Sequence, residues 1–300
     1  MRDVFFNEFK TMMKRDKSLF FITSDTGYNL VEDIIEKYPG RAMNIGVAEQ
    51  NMIGVASGLV NVGYLPVCYA ITNFLVQRSF EQIRNDICLH EYKVILIGTS
   101  TGYDNGALGA THHKVDDIGA LKSLPNLRIY SPSGNKSISA VLKEAMSEKH
   151  SSFIRIPKIG IDENIYVNDP NHFVKKNNTS SILVISHGKM VKNSEEAYKL
   201  FPEFSIFAMD RIKPLDNELL LNLFAKFNHI VVVEDNFRSG LFNSLCQWTI
   251  ENKTAHVPIS SISPEEKYDK IVGDPGYLED KHGLSPKKIS ECIKEIKLNI

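Results

Sequence analysis

Apolar residues in this chain fall into short continuous runs separated by longer stretches with helical spacing. Leu19-Phe20-Phe21-Ile22-Thr23, Leu65-Pro66-Val67-Cys68-Tyr69-Ala70, Lys93-Val94-Ile95-Leu96-Ile97-Gly98, Leu127-Arg128-Ile129-Tyr130 and Ser152-Phe153-Ile154-Arg155-Ile156 read as strands. Residues 4–15, the stretch after Asn44, residues from Phe74 to about Leu89, and those near 115–123 and 135–148 carry the helical period. Strands alternating with helices imply a parallel sheet covered on both faces, which receives ligands at the carboxyl ends of its strands. The pattern then repeats, with strands at Ile182–Ser186, Ser205–Met209 and Ile230–Glu234 and a closing helix over about 285–297. The expected fold is α/β, with two doubly wound domains at 1–160 and 181–300. Pro170, Asn171, Asn177, Asn178 and nearby lysines mark 161–180 as a linker.

One position breaks the pattern. In Asn44-Ile45-Gly46-Val47-Ala48-Glu49-Gln50-Asn51-Met52, an acidic residue opens a helix whose following positions suit burial. Gly54, Ala56 and Gly58 are small, while Met52, Val55 and Leu59 recur at helical spacing. The exposed N–H groups of a helix start favour an anion, which is one account of Glu49. A functional carboxylate is the other.

Composition narrows the choice of partners. With 35 basic against 36 acidic residues, the chain has no overall field that would draw it to nucleic acid or an anionic membrane, so any phosphate binding must be local. Cys68, Cys88, Cys246 and Cys292 lack C-x-x-C or zinc spacing and read as reduced thiols. The residues after Met1 lack the apolar core of a signal peptide, and no apolar run has membrane-spanning length, so a cytoplasmic location is expected.

Several segments, taken in order, make the chain similar to the C-terminal half of transketolase. They are Gly46–Met52, Phe74–Arg84 (FLVQRSFEQIR), Gly109-Ala110-Thr111-His112, Leu124–Arg128, Arg211–Asp216 and Val233-Glu234-Asp235-Asn236. The resemblance implies a thiamine diphosphate enzyme with a pyrimidine-binding domain followed by a transketolase C-terminal domain. It makes Glu49 the carboxylate that bonds N1′ of the cofactor's pyrimidine and Phe74 the ring on which that pyrimidine stacks, although Phe74 in isolation also suits a core position. His112 matches the active-site histidine that contacts substrate and helps move its protons, and His113 stands where the family usually has Gln. Asp25 matches an aspartate at the substrate and cofactor end, a place where a turn-capping Asp is an equal account. Arg155 and Arg2 match arginines that hold a substrate phosphate, a task suited to the planar guanidinium fork.

Departures from the family carry their own implications. No Gly-Asp-Gly signature with a following Asn, which binds magnesium and diphosphate in complete transketolases, occurs here; the nearest string, Gly273-Asp274-Pro275-Gly276, lacks the third-position Gly. The chain therefore resembles half an enzyme, completed by a separate N-terminal-type subunit that brings the Mg2+ ligands, in an expected α2β2 assembly. Leu108 takes the place of an aspartate that reads a sugar hydroxyl, Ser100 that of a phosphate-contacting histidine, and Tyr28 sits near an expected serine. Losing such contacts alters substrate choice, so the acceptor is expected to be an unusual sugar or aldehyde. Three other readings stand beside this one: a pyruvate-decarboxylating 1-deoxyxylulose-5-phosphate synthase, a 2-oxoacid dehydrogenase beta subunit, and a non-catalytic stabilising subunit. A scaffold would have no use for Glu49, Phe74 and His112.

Overall fold

The apolar runs become the central strands of two sheets in the computed structural model, which describes residues 1–161, 170–254 and 256–300. In chain order the strands are β1 (Leu19–Thr23), β2 (Ala42–Asn44), β3 (Leu65–Ile71), β4 (Ile95–Thr99), β5 (Leu127–Tyr130), β6 (Ser151–Ile156), β7 (Asn171–Lys175), β8 (Ile182–Ser186), β9 (Ser205–Met209), β10 (Arg211–Lys213), β11 (His229–Val233) and β12 (Ile259–Ile262). The first sheet runs β10-β5-β6-β4-β3-β1-β2 and the second β12-β11-β8-β9-β7. Within each sheet the pairs are parallel except at one edge, where β10 lies antiparallel to β5 and β7 antiparallel to β9.

Alternation along β1 shows how the layers form. Leu19 and Phe21 face helices Arg2–Arg15, Glu32–Lys37 and Asn135–Ser147, packing on Phe5, Phe9, Ile34 and Val141. Phe20 and Ile22 face the other way, onto Met52, Ile53 and Ala56 of helix Glu49–Asn61. That second layer continues without a break into the second sheet, through Leu183, Ile185, Phe207 and Val232, so one apolar core serves both domains. The opposite face of the second sheet packs Val184, Ile206 and Val231 on Met190, Ile289 and Ile293 of two further helices.

Two expectations about domain limits are corrected. Residues 162–169 of the expected linker lie outside the described residues, but Asn171–Lys175 within it form the edge strand β7. Its alternation of polar and apolar side chains is that of a half-buried edge, which composition alone reads as loop. The second domain is also not self-contained. Strand β10, in the stretch that follows β9, joins the first sheet through Arg211 opposite Tyr130.

The carboxyl edge of the first sheet positions the site. Chain order reverses at β1, which has β2 on one side and β3 on the other, and the segments leaving β1, β2, β3 and β4 meet at this switch point.

Candidate active site

Glu49 is the first residue of helix Glu49–Asn61 and its side chain is only 2% exposed. Gly46 turns the chain into that helix with φ +73°, a conformation glycine adopts without strain. Asn44, at the end of β2, braces the approach: its Oδ1 accepts from the backbone N–H of Gly46 at 3.0 Å and of Asp25 at 2.9 Å. Ser24, just past β1, donates its hydroxyl to Glu49 Oε1 at 3.1 Å. Arg78 Nη1 donates to Glu49 Oε2 and forms an ion pair with it. The carboxylate is thus buried, satisfied on both oxygens and aimed at the strand ends, where a helix-terminal acid in solvent would have none of these constraints.

Phe74 and Arg78 come from one wide π-type turn, Phe74–Arg78, that follows β3. Such turns depart from regular helical spacing and cluster at functional sites. Here the turn sets the Arg78 guanidinium carbon 4.4 Å from the centre of the Phe74 ring. On the far side, the His112 ring meets Phe74 edge-on, with centroids 5.2 Å apart and planes at 80°. Thr111 Oγ1 lies 3.0 Å from His112 Nδ1, so Nε2 is the nitrogen left for a ligand. Burial pushes the His112 pKa below its ordinary 6.5, and the nearby Lys114 and His113 push it the same way, favouring neutral imidazole at pH 7.

The structure therefore brings Glu49, Phe74 and His112 together, with Ser24 and Arg78 as members that the sequence did not single out. Asp25 lies beside them, exposed, with φ +50° and an amide contact from Asn44 at 3.3 Å. Ser100 is buried after β4 with φ +68°, its carbonyl accepting from Thr72 Oγ1 at 2.8 Å. Leu108 and Tyr28 stand open to solvent, 60% and 85% exposed. Arg2 begins the first helix, half-buried near Tyr69; burial pushes that phenol up, and Thr99 and Arg2 offset part of the effect.

Arg155 is elsewhere. It is fully buried between the domains, with Nε on Asp117 at 2.7 Å, Nη1 on Asp235 at 2.6 Å and Nη2 on the Lys114 carbonyl at 2.6 Å. Burial opposes its charge, but the two carboxylates outweigh that and raise its pKa. No donor is left in position to meet a substrate phosphate, and the expected phosphate-binding arginine is instead a link between domains. The motif Val233–Asn236 serves the same junction: Glu234 accepts from the N–H groups of Leu241 and Phe242 at a helix start, and Asn236 bonds Asp117 at 3.0 Å. His113, expected to be idle, is buried against Tyr103 at 5.1 Å and reaches the Gly106 carbonyl at 3.4 Å. It supports the loop that carries His112.

The family model for the transketolase pyrimidine-binding domain matches residues 1–162, and that for the transketolase C-terminal domain matches 172–289. The chain belongs to the transketolase family. Among curated relatives, one of the two subunits of the apulose-4-phosphate transketolase of Actinobacillus succinogenes is 25% identical over 299 residues, covering 96% of each chain. Its namesake from Phocaeicola vulgatus is 28% identical over 264 residues, covering 85% of this chain and 84% of the relative. The 1-deoxy-D-xylulose-5-phosphate synthase of Sulfurimonas denitrificans is 26% identical, with 89% of this chain matched to 45% of that protein. Of solved structures, a split-gene transketolase described as an inactive beta4 tetramer superposes with a TM-score of 0.86 at 24% identity, covering 98% of this chain and 97% of that one. Leishmania mexicana transketolase does so at 0.82 and 18% identity, with 98% of this chain matched to 45% of that chain. No described helix of this transketolase-family chain is long and apolar enough to cross a membrane.

Proposed function

We propose that this chain is the pyrimidine-binding half of a two-chain, thiamine diphosphate-dependent transketolase that moves a two-carbon ketol unit from a ketose to an aldose or aldehyde. The observation that carries this reading is the convergence of a buried Glu49 carboxylate, the Phe74 ring and a near-neutral His112 at one switch point. The pocket's chemistry fits the cofactor's aminopyrimidine, because a flat N–H donor, the Arg78 guanidinium, already stacks on Phe74 while bonding Glu49. When bound, thiamine diphosphate supplies a stabilised carbanion at its thiazolium.

The chain's own residues do the rest. Glu49 holds a proton shared with N1′ of the pyrimidine, in surroundings where the low local dielectric strengthens that bond, and the Ser24 hydroxyl keeps the carboxylate oriented. Phe74 fixes the plane of the ring. His112 Nε2 bonds a substrate hydroxyl and takes or returns its proton. Asp25, Ser100, Leu108, Tyr28 and Arg2 border the space for substrate. Magnesium and the diphosphate are held by a separate subunit in an α2β2 assembly, for which the inactive beta-only tetramer of the similar split transketolase is supporting precedent. Relatives named for apulose-4-phosphate support an unusual sugar as substrate, and the exposed Leu108 and Tyr28 leave room for one. The match to 1-deoxy-D-xylulose-5-phosphate synthase keeps a synthase as the second reading, separated by whether pyruvate releases carbon dioxide.

Calorimetric titration of thiamine diphosphate and magnesium tests the assignment. Binding is expected only after a diphosphate-domain subunit is added, and Glu49→Ala in that complex should lower turnover by roughly a hundredfold or more. Tight binding by this chain alone, or unchanged turnover in the variant, would refute it.

A further inference from the structure

Arg78 is the one member of the site whose position the proposed chemistry does not require. Its guanidinium bonds Glu49 Oε2 and lies 4.4 Å from the centre of the Phe74 ring, and these are the two groups that the proposed function assigns to the cofactor's pyrimidine. Glu49's other oxygen is taken by Ser24. A second flat ring cannot use the same carboxylate oxygen and the same stretch of aromatic face while the guanidinium stays there. The two planar groups compete for one slot because both present N–H donors in a plane and both stack on aromatic rings.

Resting on that assignment, we propose that Arg78 is an internal stand-in for the pyrimidine: it fills the slot and compensates Glu49 in the free chain, then withdraws when the cofactor's ring enters. A 2%-exposed carboxylate with no cation beside it would be costly, so the free chain needs a partner for Glu49 that the loaded enzyme does not. Arg78 can leave because its side chain is 38% exposed and flexible, so its charge re-enters water when displaced. Its place on the same π-type turn as Phe74 means that it can move through side-chain torsions alone, with the stacking ring left in position. The buried Glu49 cannot follow, since its backbone opens a helix packed into the core through Met52, Ile53 and Ala56. The result is a pocket kept open and charge-balanced before loading.

The test uses the full chain without a partner and 4-amino-5-hydroxymethyl-2-methylpyrimidine, the pyrimidine half of the cofactor, followed by NMR titration. Arg78→Met keeps length and removes the charge and the planar donor. It should lower the thermal midpoint of the free chain yet bind the pyrimidine tighter, by roughly threefold or more. In a Glu49→Gln background, Arg78→Met should change neither stability nor affinity appreciably, because the ion pair is already gone. Weaker pyrimidine binding by Arg78→Met would overturn the proposal by making Arg78 a ligand in its own right. Equal binding, or none by either protein, would also overturn it. If the pyrimidine fails to bind here but thiamine diphosphate binds the two-subunit complex, only the stand-in role is lost; if both fail, the functional assignment falls as well.

Discussion

Arg155 shows how far a residue's neighbours decide its role. A guanidinium after a strand in a phosphate-handling family suggests an anion ligand, yet its three partners come from positions 38, 80 and 41 residues away in sequence and enclose it. Removing the cation would leave Asp117 and Asp235 facing each other in the protein interior. Arg155→Met is therefore expected to cost ~3–5 kcal/mol of folding free energy, read as a shift in the denaturation midpoint of the free chain. A phosphate ligand would behave otherwise, raising KM for phosphorylated substrates with the midpoint nearly unchanged. Nearby Lys114 belongs to the same buried junction: burial lowers its pKa to about 7, and its Nζ finds no hydrogen-bond partner among the described residues. Its backbone instead ties Gly102 to Arg155, through its N–H at 2.8 Å and its carbonyl at 2.6 Å.

Among the elements, the loop from Ser100 to His113 depends most on a distant part of the chain. The segment from Tyr268 to Leu278, in the second domain, lies along it. Tyr268 donates to Asp116, which also accepts from Gln77 of the Phe74 turn, at 3.0 and 2.7 Å. The Gly273 N–H approaches the Gly106 carbonyl at 3.4 Å. A Cβ on Gly106 would stand 2.4 Å from Leu278 Cδ1 and 2.6 Å from the Gly273 carbonyl oxygen. The leucine tip could turn aside, but the backbone oxygen could not. Gly106→Ala should consequently push the two segments apart at a cost of ~1–3 kcal/mol and lower turnover by displacing His112, which denaturation and steady-state kinetics would register together. An unchanged kcat would show that His112 holds its place without the clamp. How well the elements could be read from sequence follows from their burial. Ile182–Ser186 and His229–Val233 are buried throughout and appear as unbroken apolar runs. Strands β7, β10 and β12 are edge or short pieces with polar positions, and pairing rather than composition makes them strands. In the site, Glu49, Phe74 and His112 were legible because each sits in a distinctive local motif. Ser24 and Arg78 were not, since a serine in a turn and an arginine on a helix are ordinary until the fold brings them to one carboxylate.

At the scale of the whole molecule, the two domains are joined more tightly than two matched family models would suggest. A strand from the second domain closes an edge of the first sheet, and the apolar layer under helix Glu49–Asn61 runs on into the second sheet. Polar links reinforce the join. Asp210 accepts from the Ser133 N–H and hydroxyl at 2.8 Å, Arg211 bonds Glu144 at 3.1 Å, and Asn236 accepts from the Ile118 N–H at 3.2 Å. Unfolding either domain would strand buried charge and strip apolar surface from the other, so neither has a favourable path to open alone. Calorimetry of the free chain is therefore expected to show one transition, with a ratio of calorimetric to van't Hoff enthalpy of about 1. Two resolved transitions would mean that the junction contributes little and that the His112 loop is held by the first domain itself. A single transition has a consequence for the site as well. The clamp on that loop, the Arg155 junction and the Glu49 helix would then be lost together, so substitutions at the junction should weaken pyrimidine binding in proportion to the stability they remove, even though none of them touches the pocket.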